Sequence, residues 1–281
     1  MGRFIQKLII LIRSSIIFVI FSSALFANIP ISSNLFPGGI AVIEFETSHS
    51  DPKAYYGNVR LYVQQIKDNR WQALVGIPLL SKPGIKEIVI KTDSVDSAQF
   101  KVEYYPYDVQ HITLSGDKKK YIDPGPTNKY RINNERNILT KTRRFYSDTE
   151  LSVGYFIMPV DSTITSKFGN KRFYNGKESL PHTGLDLSGS TGSPIKASAD
   201  GIVLLVDNFF YNGNSIFINH GQGLISAYMH MDEISVKYGQ KIEQGDVIGT
   251  IGQSGRATGP HLHWSVYLNG TVVNPRLLLK K

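Results

Sequence analysis

The 281-residue sequence contains no cysteine. Disulfide bonds are therefore excluded, and so is a lipid anchor on an N-terminal cysteine. Any metal site must be built from His, Asp and Glu, because thiolates are absent. Concentrated charge is also missing: residues 28–150 hold 17 basic and 14 acidic residues, and residues 151–281 hold 11 and 9. A net charge of +3 and +2 on these two parts gives little support to nucleic-acid binding.

Long apolar runs are confined to the N-terminus. Arg3, Lys7 and Arg13 precede an apolar run over Ile16–Phe26, and the small residue Ala27 follows. This order of charged, apolar and small residues predicts a cleaved signal peptide over the first 27 residues. The alternative is an uncleaved membrane anchor, although the apolar run is shorter than the roughly 20 residues that a spanning helix needs. We therefore expect an exported protein.

The rest of the chain has the composition of a folded protein, with 41% hydrophobic and 19% charged residues. Short segments that alternate apolar and polar residues predict an all-β sandwich over residues 28–116. The predicted strands are Ile40–Phe45, Val59–Val63, Trp71–Ile77, Ile85–Ile90, Phe100–Tyr104 and Val109–Leu114. His49 and His111 are isolated in this region, so we expect them to be surface or hydrogen-bonded residues.

The texture changes twice after this region. Residues 117–150 form a polar, charged stretch, which we interpret as a linker with one helix over Asn128–Phe145. From residue 151 to 281 glycines are dense, short apolar runs recur and no long helix is indicated. A second, mainly antiparallel β domain is expected there, so the predicted fold class is all-β.

Five of the seven histidines lie between residues 182 and 263. His182 stands four residues before Asp186, and His261 stands two before His263. Alternate residues of a strand share one face, so His261 and His263 are expected side by side. Each pair alone occurs often by chance. Together they offer the imidazoles and carboxylate from which hydrolytic zinc sites are made.

The order of these and neighbouring segments resembles the lysostaphin/LytM-type zinc peptidases, which cut peptide bonds in bacterial peptidoglycan. The matching segments are Ser166-Lys167-Phe168-Gly169, Pro181-His182-Thr183-Gly184-Leu185-Asp186, Ala199-Asp200-Gly201, Asn219-His220-Gly221-Gln222-Gly223, Tyr228-Met229-His230, Gly245-Asp246-Val247-Ile248-Gly249 and Thr258-Gly259-Pro260-His261-Leu262-His263. The resemblance implies a lysostaphin/LytM-type antiparallel β peptidase domain over residues 151–281.

The resemblance also implies residue roles. His182, Asp186 and His263 would bind one zinc ion, with a fourth position for an activated water. His230 and His261 would be catalytic, although which of them accepts the proton from water stays open. The implied activity is zinc-dependent hydrolysis of peptide cross-links in peptidoglycan, with D-alanyl–diaminopimelate as the expected bond in a Gram-negative periplasm. The rival hypotheses are a non-enzymatic regulator with this fold and a wall-binding scaffold.

Two departures from the family pattern concern one side of the cleft. Lys171 occupies a position where arginine is common, and Arg172 follows it. The segment Arg172–Leu180 is a long insertion before His182. Tyr174 and Asn214 are candidate substrate contacts.

The remaining expectations concern His220 and the N-terminal region. His220 has no metal role in the pattern, so a structural hydrogen bond is expected for it. The region from Pro37-Gly38-Gly39-Ile40-Ala41 resembles the β domain that precedes the peptidase in some family members. We hypothesise that this domain and the linker cover the cleft, with a side chain such as Asn displacing the zinc water.

Overall fold

The computed structural model describes residues 28–148 and 153–280, so the predicted signal peptide lies outside the described residues. In this part of the chain, no helix has both the length and the apolar character needed to cross a membrane. Strands dominate, and nearly all of them pair antiparallel. The predicted all-β fold class is confirmed.

The chain between residues 40 and 102 forms two antiparallel sheets. The strands are β1 (Ile40–Glu46), β2 (Lys53–Tyr56), β3 (Val59–Arg60), β4 (Tyr62–Lys67), β5 (Arg70–Gly76), β6 (Gly84–Lys91) and β7 (Val95–Val102). One sheet has the order β1-β5-β4, and the other has the order β3-β2-β6-β7. Their facing side chains enclose a core that includes Ala41, Ala73, Ile88 and Phe100. This is the predicted N-terminal sandwich.

The sheet β1-β5-β4, called the shared sheet below, is buried on both faces. Ala41 and Ala73 point into the sandwich core, whereas Ile40, Tyr62 and Leu74 join the main core of the C-terminal half. Side chains alternate between the two faces of a strand, so one strand serves both cores. The N-terminal sandwich is thus attached to the rest of the molecule through apolar packing.

The next strand corrects one prediction. Strand β8 (Val109–Ile112) does not belong to the N-terminal sandwich; it pairs in parallel with β10 (Lys171–Tyr174), which pairs with β11 (Lys177–Glu178). Pro106 lacks an N–H group, so it interrupts strand pairing after β7. The chain then crosses to the insertion before His182, whose hairpin offers an edge to pair with.

A short 3-10 helix (Gly116–Tyr121) and one α-helix, α1 (Pro126–Arg143), follow. Proline at the first position suits a helix start, because its missing N–H would have no partner there. Most of α1 is exposed, as expected for a charged segment. Glu135 ties it to the C-terminal half by accepting the Phe210 N–H with carboxylate oxygens at 3.0 and 2.8 Å.

The C-terminal half is built around one large antiparallel sheet of order β17-β14-β15-β16-β19-β12-β9. Its strands, with those paired beside it, are β9 (Ile164–Ser166), β12 (Leu185–Ser188), β13 (Pro194–Lys196), β14 (Gly201–Phe209), β15 (Gly213–Asn219), β16 (Leu224–Ile234), β17 (Lys241–Ile242), β18 (Val247–Ile251), β19 (His261–Leu268) and β20 (Thr271–Val273). A 3-10 helix (Pro275–Leu278) ends the described fold. Strand β5 of the shared sheet packs against β19 and β20.

Candidate metal and catalytic site

Strand register brings the predicted ligands together. In the antiparallel pair of β12 and β19, Asp186 lies directly opposite His263. His182 precedes β12 on a loop that two backbone hydrogen bonds hold in place. The His182 N–H donates to the Asn170 carbonyl at 2.9 Å, and the Gly169 N–H donates to the His182 carbonyl at 2.8 Å. All three side chains are therefore fixed by backbone pairing.

Three buried acceptor atoms converge on one point. Nε2 of His182 lies 2.9 Å from Oδ1 of Asp186 and 3.0 Å from Nδ1 of His263. Nδ1 of His263 lies 2.7 Å from the same Asp186 oxygen. All three side chains are buried, so bulk water does not screen the three atoms from one another.

Hydrogen bonds on the far side of each imidazole fix its tautomer. Nδ1 of His182 lies 2.7 Å from the Lys167 carbonyl, which can only accept, so Nδ1 carries the proton. Nε2 of His263 lies 2.9 Å from the Ser265 hydroxyl, whose own proton goes to the Thr183 carbonyl at 2.9 Å. Nε2 of His263 therefore carries the proton. Both rings turn a lone pair toward Asp186.

This arrangement fits a cation. Three lone pairs within hydrogen-bond distance repel one another unless a proton or a metal ion lies between them. Protonation is disfavoured, because burial lowers the pKa of His182 and lowers that of His263 to about 4. Two neutral imidazoles and one carboxylate are a donor set of hydrolytic zinc sites, which keep a fourth position open.

Arg172 binds the second carboxylate oxygen of Asp186. Its Nη2 donates to Asp186 Oδ2 at 2.6 Å, and both side chains are largely buried. The same guanidinium donates to Ser166 Oγ at 3.1 Å and to Gln110 Oε1 at 3.1 Å. With Oδ2 held in this way, only Oδ1 faces the two histidines. Asp186 is thereby oriented as a ligand through one oxygen.

His230 and His261 stand beside this cluster, with ring centres 5.0 Å apart. Nδ1 of His230 donates to the Ser254 carbonyl at 2.8 Å, and Nδ1 of His261 donates to the Gly259 carbonyl at 2.8 Å. Each ring thus keeps Nε2 for other partners, and Nε2 of His261 lies 3.8 Å from Asp186 Oδ1. Burial, with the nearby His261, lowers the pKa of His230 well below its ordinary value.

The backbone at His230 is unusual, with a φ of 63°. Left-handed conformations are uncommon for residues other than glycine, and they cluster at functional sites. His230 lies within β16 at an irregularity in its pairing with β15, and its N–H donates to the Asn212 carbonyl at 2.8 Å, which stabilises this irregular backbone.

Gly184 is required by close packing beneath the site. A Cβ atom at this position would lie 2.4 Å from the Trp264 carbonyl oxygen and 2.8 Å from His263 Nε2. Glycine therefore lets the loop after His182 pass directly over β19, which brings His182 and His263 within reach of each other.

The site opens into a cleft with two cavities, of about 300 Å³ and about 180 Å³. Arg172, Tyr174, His230 and Arg256 line both of them. The larger cavity also borders Asp186 and His261, and the smaller one borders His182 and His263. The cleft thus passes both the ligand cluster and the two neighbouring histidines.

The two candidate substrate contacts differ. Tyr174 lies in the cleft, where it lines both cavities. Asn214 lines neither cavity; its Nδ2 donates to the Met231 and Asp232 carbonyls at 3.2 and 2.9 Å. Asn214 therefore stabilises the irregular start of the β15–β16 pair.

Strand β8 covers part of the cleft. Gln110 and Ile112 line the larger cavity, and Gln110 Oε1 accepts a hydrogen bond from Ser166 Oγ at 3.0 Å. In residues 28–148 and 153–280, no asparagine side chain hydrogen-bonds to the three converging atoms. The hypothesis that a side chain such as Asn displaces the zinc water stays a prediction.

Two segments of the chain match models of one peptidase family. Residues 180–275 match peptidase family M23, and residues 34–104 match the peptidase family M23 N-terminal domain. A crystal structure from Pseudomonas aeruginosa assigned to peptidase M23 is 34% identical, with a TM-score of 0.74, over 88% of this chain and 95% of that one. The chain belongs to peptidase family M23.

Named relatives match less than half of the chain. The peptidoglycan DD-endopeptidase ShyA of Vibrio cholerae is 41% identical over 119 residues, which are 41% of this chain and 28% of ShyA. The DD-carboxypeptidase/endopeptidase Mpg of Neisseria meningitidis is 37% identical over 123 residues, which are 43% of this chain and 28% of Mpg. The chain thus spans well under two thirds of these relatives. The predicted family resemblance is confirmed.

The other histidines of this M23 chain lie outside the cluster. His220 bonds through Nδ1 to the Asp200 carbonyl at 2.6 Å and through Nε2 to Ser226 Oγ at 2.8 Å, which confirms its structural role. Burial lowers its pKa to about 4. His111 stacks on Phe173, and His49 accepts the N–H of Asp51 at 3.1 Å.

Two contributors to the M23 site were not predicted from the sequence. Ser265 could have been found, because it follows His261 and His263 at the same two-residue spacing and so shares their face. For Arg172 the sequence showed only that this arginine lies one position after the one where arginine is common in the family. Its pairing with Asp186 depends on the β10–β11 hairpin, for which the motif gave no signal.

Proposed function

We propose that this chain is an exported zinc-dependent endopeptidase that hydrolyses peptide cross-links of bacterial peptidoglycan, with D-alanyl–diaminopimelate as the bond. The observation that carries the proposal is the convergence of three lone pairs, from His182, Asp186 and His263, beside two further imidazoles in an open cleft. Relatives named as peptidoglycan DD-endopeptidases support the substrate class.

In this proposal His182 Nε2, Asp186 Oδ1 and His263 Nδ1 hold the zinc ion. When bound, zinc would lower the pKa of a water to about 7 and polarise the scissile carbonyl. Lys167 and Ser265 keep each imidazole in the ligating tautomer through their hydrogen bonds to its far nitrogen. Arg172 keeps the carboxylate in its one-oxygen orientation.

His230 and His261 handle protons in the proposed reaction. Both rings are anchored through Nδ1 to backbone carbonyls, so both offer Nε2 to the cleft. An unprotonated Nε2 can accept the proton of the attacking water, and a protonated one can donate to the oxyanion and then to the leaving amine. One ring can therefore act as the base and the other as the acid.

The proposed location is the cell envelope, where the substrate is. The charged, apolar and small-residue order of the first 27 residues supports export. The named relatives come from Vibrio and Neisseria, both Gram-negative bacteria, which supports the periplasm.

The experiment is digestion of purified cross-linked muropeptide dimers followed by mass analysis. We expect dimers to be cut at the D-alanyl–diaminopimelate bond, cleavage to stop with a chelator, and zinc to restore it. His263→Ala should be inactive, while His49→Ala, a histidine remote from the cluster, should match the wild type. Dimers that survive with the zinc-loaded wild type would favour a non-enzymatic regulator or scaffold, and full cleavage by His263→Ala would refute the metal site.

A further inference from the structure

Arg256 is placed at the centre of the cleft by its neighbours. It lies in the loop that joins β18 to β19, and its backbone N–H donates to the Tyr211 carbonyl at 2.8 Å. Its guanidinium lies 4.4 Å from the ring centre of Tyr174 and 4.8 Å from that of Tyr211. Arg256 lines both cavities, as Arg172, Tyr174 and His230 also do.

Stacking uses the faces of a guanidinium and leaves its N–H groups at the edge. Among the described residues, no carboxylate pairs with Arg256 and no acceptor bonds to its side-chain N–H groups. Arg172 is the contrasting case, since its charge is matched by Asp186 at 2.6 Å. Among the described residues, the cleft thus contains two arginines without an acidic partner: Arg143, which lies over Tyr267 and borders only the smaller cavity, and Arg256, which borders both cavities and so also the one with Asp186 and His261.

We propose that Arg256 is a substrate-anchoring residue that binds a free carboxylate of the peptide beside the scissile bond. Planar guanidinium groups bind carboxylates through two parallel hydrogen bonds, which fixes both position and orientation. The two tyrosine rings hold the guanidinium of Arg256 in place before substrate arrives, so little conformational freedom is lost on binding.

This assignment rests on the proposed function, which supplies a suitable ligand. In a D-alanyl–diaminopimelate cross-link, the carbon that bears the scissile nitrogen also bears a free carboxylate. A carboxylate at that position would be held in the same cleft as Asp186, His230 and His261, which line the larger cavity with Arg256. The anchor therefore selects peptides with a negative charge on the leaving-amine side.

The test compares two synthetic cross-linked peptides that differ only at this group, one with the carboxylate free and one with it amidated. For Arg256→Gln we expect kcat/KM on the free-carboxylate peptide to fall roughly 10- to 100-fold, mainly through KM, as for loss of a charged hydrogen-bonded pair. On the amidated peptide the variant should equal the wild type. Arg60→Gln is the control outside the cleft, because Arg60 also lies over a tyrosine ring, 4.6 Å from Tyr146, but its charge is paired with Asp148 at 2.7 Å.

Zinc content is measured for every variant and should stay unchanged. An equal loss on both peptides, or no loss on either, would overturn the assignment. Higher activity of Arg256→Gln on both peptides would also overturn it, since Arg256 would then only hold Tyr174 over the cleft. If the wild type cut neither peptide, the proposed function would fail instead. Calorimetric binding of the two peptides to wild type and Arg256→Gln would then decide the anchor, and equal affinities would reject it.

Discussion

Replacing Ser265 with alanine is expected to weaken metal binding although Ser265 touches no metal. Its hydroxyl accepts the Nε2 proton of His263 at 2.9 Å and passes its own proton to Thr183. Alanine removes the group that keeps Nδ1 of His263 unprotonated and directed at Asp186. The ring is then free to adopt the other tautomer, which turns a proton instead of a lone pair toward the metal.

The magnitude can be stated from comparable sites. Loss of a hydrogen bond behind a metal-binding histidine typically costs 10- to 100-fold in metal affinity, about 1.4 to 2.8 kcal/mol. Ser226 is a matched control on the neighbouring strand β16. It is also fully buried and bonds to a histidine nitrogen, Nε2 of His220, at 2.8 Å. Both alanine variants should lose about 1 to 3 kcal/mol of unfolding free energy, because each leaves a buried polar group unpaired.

Zinc affinity is measured by competition with a chromophoric chelator, and unfolding free energy by denaturant titration of the chelator-treated proteins. We expect Ser265→Ala alone to lose zinc affinity, with stability losses of similar size in both variants. An unchanged zinc affinity in Ser265→Ala, or an equal reduction in Ser226→Ala, would show that the tautomer argument is wrong.

Three further predictions follow from the site and its surroundings. His263→Ala should lose bound zinc, whereas His261→Ala should keep zinc and lose at least about 100-fold in turnover. Metal analysis and kinetics of each variant distinguish the two effects. Loss of zinc in both variants would contradict the division of roles. Gly184→Ala should lower the unfolding free energy by about 1 to 3 kcal/mol through overpacking against Trp264 and His263, while Gly259→Ala, which meets nothing within 4 Å, should not. His220, with a pKa lowered from 6.5 to about 4 by burial, stays neutral in the folded state while the unfolded chain takes up a proton. The contribution of His220 to stability should therefore fall by about 3 kcal/mol as pH drops from 6.5 to 4, in addition to the losses from the buried His182, His230 and His263, and a His220→Gln variant with an equally steep pH dependence would refute this.

The sequence was sufficient for the features that depend on local pattern. Alternation in the strands and dense glycines indicated an all-β fold. The order of the histidine segments indicated the M23 family and the residues that meet at the site. Two-residue spacing placed His261 beside His263. The glycine in His182-Thr183-Gly184 is explained by close packing, because a Cβ atom at Gly184 would collide with β19.

Features that depend on contacts between distant segments were not accessible. Strand β8 was expected in the N-terminal sandwich, but it pairs with β10, some sixty residues further on. Its apolar alternation shows that it is a strand and says nothing about its partner. The ion pair of Arg172 with Asp186 was not predictable for the same reason, because it depends on where the β10–β11 hairpin folds back.

The shared sheet makes the N-terminal sandwich part of the support of the C-terminal half. Ile40, Tyr62 and Leu74 are buried against the C-terminal half, and each such side chain contributes about 1.5 to 3 kcal/mol through its removal from water. Deleting the N-terminal sandwich would therefore expose an apolar surface on β19 and β20, and the truncated protein would be prone to aggregate. Strand β8 is attached differently, by a short parallel ladder with β10, by the hydrogen bonds that Gln110 accepts and by the stack of His111 on Phe173. Among the described residues, none from the sandwich lines either cavity of the cleft. The sandwich therefore supports the site from behind, through its packing against β19, the strand that carries His261 and His263.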